Sequence, residues 1–374
     1  MTYLMSDLDV IDRIFEHVDN KTTDLGNVTW KEPVENYISE ERFQQELEVL
    51  RRTPVAFCPS AALPEAGSYI ARKAAGRPII VVRGDDGVVR AFKNACRHRG
   101  MSVTTEGEGC SRAFVCPYHA WTYGLDGKLK HIPGSEGFPG VEKGDHGLVE
   151  VTAVEKGGLV FVTQDDPISD GALEAMPEML SPEQEYFGSI EFVDKSNWKL
   201  IAETSMEGYH IKSLHNKSFY PYGMDNVNVV ETFGPNFRIT FPFRRIEKLR
   251  DIPKEERRIS GMVTYVNQLF PNTHLSQLSN HTVMVVLEPI SPSETHWYFY
   301  RMTNKPGEGP KKSLEEIKKD VDFVKDVGLV EDRDAAIAIQ ESLATEANTH
   351  FTFGQNESGI IHFHKYLDDA ISKL

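Results

Sequence analysis

The chain has 374 residues, with 41 Lys plus Arg against 56 Asp plus Glu, and so a formal net charge of −15. That balance disfavours nucleic acid as a partner, four cysteines are too few for a disulfide scaffold, and a hydrophobic share of 40% is that of an ordinary globular protein. The first ten residues carry two acids and no base, and no apolar run nears the ~18–20 residues that cross a bilayer, so a cytoplasmic protein with no membrane span is expected.

Leu8, Ile11, Ile14, Phe15 and Val18 recur at helical spacing and predict an N-terminal helical arm within residues 1–45. A second helix is expected over residues 40–52, where Phe43, Leu47 and Leu50 share a face. After Pro54 the texture changes to short β-prone runs cut by Gly, Pro and Asp. Ile79–Val82, the turn Gly84-Asp85-Asp86-Gly87 and Val88–Phe92 read as a hairpin. A β-rich domain is therefore expected over residues 46–165. Near Pro167 the texture changes again, into a third region over residues 166–374. It opens with a helix expected around residues 206–215. Strands are expected at 236–243, 264–270, 282–288 and 295–302, then charged helices after Pro310, a helix at 334–344 and a last one at 360–374. Residues 305–312 read as a linker. The fold class is α+β.

Two groups of residues carry chemistry. The first is Cys96-Arg97-His98 followed, after seventeen intervening residues, by Cys116-Pro117-Tyr118-His119. Each half offers one thiolate and one imidazole on a tight loop. Two thiolates suit one iron of a [2Fe–2S] cluster and two neutral imidazoles suit the other, which is the Rieske arrangement. Exchanging two thiolates for imidazoles raises the potential to roughly −150 to +300 mV. A zinc site is the competing reading, but zinc fingers pair Cys with Cys and His with His. Cys58 and Cys110 lie outside the pattern.

The second group is Glu203, Glu207 and His210, at i, i+4 and i+7, with His215 five residues further on. On one continuous helix the first three share a face, and a π-type widening or the helix end would return His215 to it. Two imidazoles and a carboxylate from elsewhere make the facial triad of non-haem Fe(II) oxygenases. The late acids Glu331, Asp332 and Asp334, opening a helix that ends near Gln340, are candidates for the third ligand.

Taken together, these motifs resemble the catalytic α subunit of the Rieske non-haem iron oxygenases, the ring-hydroxylating oxygenase family. The resemblance extends to Asn197-Trp198-Lys199, Phe270-Pro271-Asn272 and Glu288-Pro289-Ile290-Ser291-Pro292. It implies a Rieske domain and a helix-grip (START-like) antiparallel-sheet catalytic domain, with the N-terminal arm packed on the latter. It implies that Cys96, His98, Cys116 and His119 bind the cluster. His210, His215 and Asp332 would bind a mononuclear Fe(II), where O2 and a small-molecule substrate meet. By matching position Glu207 would couple that iron to the cluster of a neighbouring subunit in a homotrimer. Thr204 departs from the family, where several members carry Asn.

The chain lacks a G-x-G-x-x-G opening a helix, so electrons must come from a separate NAD(P)H-dependent reductase, with or without a ferredoxin. Arg97, Arg99 and Arg112 flank the cluster loops and suit either an acidic donor or local partners. By position, Met206, Phe219, Tyr220, Tyr222, Met224, Phe241 and Phe243 are pocket candidates. The resemblance implies hydroxylation of an aromatic substrate, in aromatic hydrocarbon catabolism. Gly359-Ile360-Ile361-His362-Phe363-His364 resembles the carnitine and choline branch, which would instead oxidise a quaternary ammonium or N-methyl group; His362 and His364 are read as structural. A Rieske electron carrier without oxygenase activity is the reading from a different class.

Overall fold

The computed structural model describes residues 4–169, 171–305, 312–325 and 329–374. The linker expected at 305–312 falls largely on residues 306–311, outside the described residues. The chain divides into two compact units, one of Leu50–Pro182 and one of Met1–Val49 with Glu183–Leu374.

The Leu50–Pro182 unit is built on a seven-stranded antiparallel sheet. Its order is Val55–Pro59, Leu159–Thr163, Glu150–Lys156, Val89–Lys93, Arg77–Arg83, Ser68–Ala74 and Gly107–Cys110. The expected hairpin is its middle, with Ile80 opposite Phe92 and Val82 opposite Arg90. Its turn is set by Asp86, whose Oδ1 accepts from the Val88 N–H at 3.1 Å, and by Gly87 at φ 78°. A smaller sheet of Phe114–Val115, Thr122–Tyr123 and Leu129–His131 packs its Phe114, Tyr123 and Leu129 with Phe92 and Trp121 in one buried cluster. Cys96 and Cys116 lie in that same cluster.

Among the described residues, the other unit carries eight α-helices: α1 (Asp7–Asn20), α2 (Glu35–Ile38), α3 (Glu40–Arg52, whose last turn crosses the unit boundary), α4 (Trp198–Glu203), α5 (Ile211–Leu214), α6 (Leu314–Phe323), α7 (Leu329–Ser342) and α8 (Ser358–Ile371). α1 starts where the Ser6 hydroxyl accepts from the Asp9 N–H at 3.3 Å, a side-chain N-cap. Its apolar stripe, Val10, Ile11, Ile14 and Phe15, is buried with Val229, Ile246, Leu249 and Tyr265. The seven-stranded sheet of this unit is antiparallel throughout, in the order Tyr186–Asp194, Glu294–Thr303, His281–Ser291, Thr273–Gln277, Val263–Leu269, Asn236–Pro242 and Val229–Phe233. All four predicted strands are in it. A two-stranded sheet of Trp30–Pro33 and His350–Phe353 was not predicted.

α8 lies close against the segment that follows α4. A Cβ on Gly359 would sit 2.5 Å from the Met206 carbonyl oxygen, so only glycine permits this approach. No described helix is long and apolar enough to cross a membrane. The architecture is α+β, as expected.

Candidate metal centres and their cavity

The two Cys loops share one backbone design. The Cys96 N–H donates to Met101 O at 2.8 Å, and the Gly100 N–H returns to Cys96 O at 2.8 Å. The Cys116 N–H donates to Trp121 O at 2.9 Å, and the Ala120 N–H returns to Cys116 O at 2.9 Å. Each loop turns through a left-handed residue, Gly100 at φ 80° and Ala120 at φ 57°. The thiols are buried, while the imidazoles lie toward the surface. His98 Nδ1 and His119 Nδ1 face each other at 3.1 Å, and the His98 ring stacks on Trp121 at 5.0 Å. Two inward thiols and two convergent Nδ1 atoms are the donor set that a [2Fe–2S] cluster with mixed ligands requires. The Tyr123 hydroxyl sits 3.2 Å from Cys96 Sγ and accepts from the Arg97 N–H at 2.9 Å. Of the basic residues here, Arg97 reaches Gly147 O and Arg99 reaches the Tyr118 hydroxyl.

The second group departs from the expected continuous helix. α4 begins where Asn197 Oδ1 accepts from the Lys199 N–H at 2.9 Å. It stops at Glu203, because Thr204 Oγ1 and Ser205 Oγ donate back to Ile201 O and Ala202 O. Residues 204–210 are turns and bends, and only the four-residue α5 follows. Glu203, Glu207 and His210 therefore do not share a helix face. Glu203 turns inward, accepting from the Tyr37 hydroxyl at 2.7 Å and lying 2.8 Å from His364 Nε2. Glu207 folds onto its own loop, where its carboxylate accepts from the N–H groups of Tyr209 and His210 and from His210 Nδ1.

His210 and His215 flank α5 and bring their Nε2 atoms to 3.2 Å. Asp332, in the first turn of α7, places Oδ1 3.0 Å from His215 Nε2 and 3.5 Å from His210 Nε2. The ligand atoms of His210, His215 and Asp332 all lie within 4.8 Å of one another. Of the other late acids, Asp334 is exposed and Glu331 lies behind His215, accepting from its Nδ1 at 2.7 Å and from the Ser218 hydroxyl. Both imidazoles thus give their Nδ1 proton to a carboxylate and turn Nε2 toward Asp332. Asp332 Oδ1 is buried with no hydrogen bond of good geometry. A buried carboxylate oxygen set between two imidazole Nε2 atoms fits a divalent cation, which would take the place of the protons there. Burial disfavours a charge on His210, yet Asp332 and Glu207 raise its pKa to about 10. The same carboxylates would raise its affinity for a metal. At Asp332 burial is outweighed by His210 and His215, which hold its pKa below the usual carboxylate value.

Neither the Glu331 brace nor the clamp at Arg333 was foreseen. Arg333 pairs with the buried Asp194 through Nε at 2.7 Å, and its guanidinium lies 4.2 Å from the Phe192 ring centroid. Acids one residue apart look alike in a sequence; only their azimuth on α7 separates the one facing both imidazoles from the one bracing His215.

A cavity of about 360 Å³ opens onto His210, His215 and Asp332. Its walls are mainly apolar and aromatic, with Ile201, Val266, Val283, Val285, Leu287, Trp297 and Phe299. Of the pocket candidates, Phe219, Tyr222, Met224, Phe241 and Phe243 line it. Met206 is buried, with its carbonyl against Gly359. Tyr220 stacks with Arg244 at 5.0 Å.

The family model "Ring hydroxylating alpha subunit (catalytic domain)" matches residues 183–373, and the "Rieske [2Fe-2S] domain" model matches residues 53–153. A carnitine monooxygenase oxygenase subunit of Escherichia coli (strain K12) is 29% identical over 367 residues, 90% of this chain and 93% of that protein. A glycine betaine monooxygenase oxygenase subunit of Chromohalobacter salexigens is 38% identical over 159 residues; that match spans 41% of this chain and only 36% of that protein. Among solved structures, a quaternary ammonium Rieske monooxygenase in complex with L-carnitine superimposes with a TM-score of 0.77 at 21% identity, over 93% of this chain and 96% of that one. Naphthalene 1,2-dioxygenase with indole bound gives 0.73 at 21% identity, over 91% of this chain and 92% of that one. These two likenesses are of fold.

Proposed function

The chain belongs to the ring-hydroxylating oxygenase α-subunit family, and from that premise we propose which of its residues work and on what. It is a Rieske-type terminal oxygenase, and its cofactors are a [2Fe–2S] cluster and a mononuclear iron. The proposed cluster ligands are Cys96, His98, Cys116 and His119. The proposed iron ligands are His210, His215 and Asp332. When bound, the iron supplies the centre at which O2 is activated and the cluster supplies an electron to it.

The chain's own residues set the stage for that chemistry. Glu207 and Glu331 hold the two Nδ1 protons, which fixes the tautomer and orientation of His210 and His215. The apolar walls exclude water and seat the substrate over the triad. Electrons come from a partner protein, a reductase with or without a ferredoxin, and a homotrimer is proposed in which Glu207 faces a neighbour's cluster. The proposed location is the cytoplasm, where such donors work.

For substrate, the reading is oxygenation of a compound with an apolar, aromatic frame. The observation that carries it is the ring of Phe219, Phe241, Phe243, Trp297 and Phe299 around the cavity. The second reading is oxidative cleavage at a quaternary ammonium or N-methyl group. It is favoured by the name of the relative matched over nine-tenths of this chain, and aromatic faces also hold cations. Against it, the cavity's non-ligand acids are already engaged: Glu207 with His210, and Asp320 with His281 at 2.9 Å and Asn280 at 3.1 Å. The triad disfavours a bare electron carrier.

The experiment is O2 uptake by the iron-loaded protein with a generic reductase, offered aromatic hydrocarbons, aromatic acids, phenols and N-methyl compounds, with product analysis. Turnover of aromatic compounds alone supports the first reading, and release of formaldehyde or an aldehyde from N-methyl compounds supports the second. Iron near two per chain, rather than about three, would return the chain to a carrier.

A further inference from the structure

One polar group in the cavity is used by neither reading. His274 lies in the strand Thr273–Gln277, on the inner face of the sheet, and is 6% exposed. Its Nδ1 meets the hydroxyl of Ser205. Its Nε2 is buried and has no hydrogen-bond partner. Burial alone holds this imidazole neutral, pushing its pKa down to about 3.

The Ser205 contacts decide which nitrogen carries the proton. Ser205 Oγ also lies 2.9 Å from Ala202 O. A hydroxyl has one proton, and a carbonyl oxygen can only accept. If Ser205 gave its proton to His274, two oxygen lone pairs would face each other at 2.9 Å with nothing between them. Ser205 therefore donates to Ala202 O and accepts from His274 Nδ1–H. A neutral imidazole has a single N–H, so Nε2 presents a bare lone pair. Buried acceptors are satisfied in the great majority of cases, and His274 is among the residues that line the cavity proposed to hold the substrate.

We infer that His274 is a specificity-determining residue whose Nε2 accepts a hydrogen bond from an O–H or N–H group on the substrate. This inference rests on the apolar-frame reading above and narrows it. The substrate is an aromatic compound bearing a hydrogen-bond donor, such as a phenolic hydroxyl or a ring N–H. A plain hydrocarbon leaves the lone pair unmatched, and a trimethylammonium group has no N–H to offer. A site built to bond a donor rejects the isostere that lacks it far more strongly than it senses a methylene.

The test uses isosteric pairs, so that size does not enter. Anaerobic titration calorimetry on the full-length iron-loaded protein measures indole against benzofuran, and phenol against fluorobenzene. The expected result is about tenfold tighter binding of indole and phenol than of their isosteres. His274→Phe should bring both ratios near one while benzofuran still binds. Ser205→Ala leaves the imidazole in place but frees its proton to move to Nε2, so the ratios should fall about threefold. That variant carries the test if His274→Phe does not fold. Equal binding of the pairs by the unaltered protein, or ratios unchanged in either variant, overturns this inference alone. Binding of neither member of either pair overturns the apolar-frame reading, and this inference with it.

Discussion

At the scale of single residues, the two imidazoles over the cavity are each backed by a carboxylate, Glu207 behind His210 and Glu331 behind His215. Asp332 and Glu331 are neighbours with different proposed tasks, and the difference is measurable. Asp332→Asn removes the charged oxygen between the Nε2 atoms. Iron should fall from about three to about two per chain, with the visible absorption of the cluster unchanged. Glu331→Gln keeps every ligand but weakens the grip on the His215 Nδ1 proton. Iron should still bind, with affinity lower by ~10–100-fold, read by titration against a competing chelator. Equal losses in the two variants would contradict this division of roles. The residue types alone left Glu331, Asp332 and Asp334 as candidates, and only the family resemblance pointed to Asp332, because the choice depends on which way each points from α7.

At the scale of elements, α3 and α4 are joined by buried charge. Lys199 Nζ lies 2.6 Å and 2.8 Å from the two Glu46 oxygens, and Trp198 Nε1 donates to Glu46 at 2.9 Å. Lys199 is 0% and Glu46 1% exposed, so neither charge has water to fall back on. Glu46→Ala strands the ammonium and should cost about 3–5 kcal/mol, seen as a lower urea midpoint. Glu46→Leu would strand it equally, whereas the paired change Glu46→Leu with Lys199→Met should recover most of the loss. Elements with a clean apolar period were legible in the sequence: α1 through Ile11, Ile14 and Phe15, and α3 through Phe43, Leu47 and Leu50. The segment after α4 was not, because Thr204 and Ser205 bond back into the helix and Glu207 caps its own loop. These are local competitions that hydrophobic spacing does not record. The pairing of Trp30–Pro33 with His350–Phe353 was equally hidden, since two four-residue strands from opposite ends of the chain carry no mutual signal.

At the scale of the whole molecule, the proposed homotrimer divides the work between chains, and subunit mixing tests it. On the proposed ligand sets, Cys96→Ala chains should lack the cluster and His210→Ala chains the mononuclear iron. Each should be inactive alone, and the two refolded or co-expressed together should regain part of the O2 uptake; no recovery would remove the route between subunits. The iron site has a further consequence for the chain's upkeep. His215 and Glu331 are 116 positions apart in the chain and meet at this site. An ion held by His210, His215 and Asp332 would act as a clip on a long loop, present in the native state and absent from the unfolded one. At a thousandfold excess over its dissociation constant such an ion adds about 4.1 kcal/mol to stability. Chelation should then speed amide hydrogen exchange in α7 while the seven-stranded sheet of Leu50–Pro182 keeps its protection; unchanged α7 exchange would refute the clip. A cell short of iron would lose the protein itself, because the opened form is the one that proteases cut.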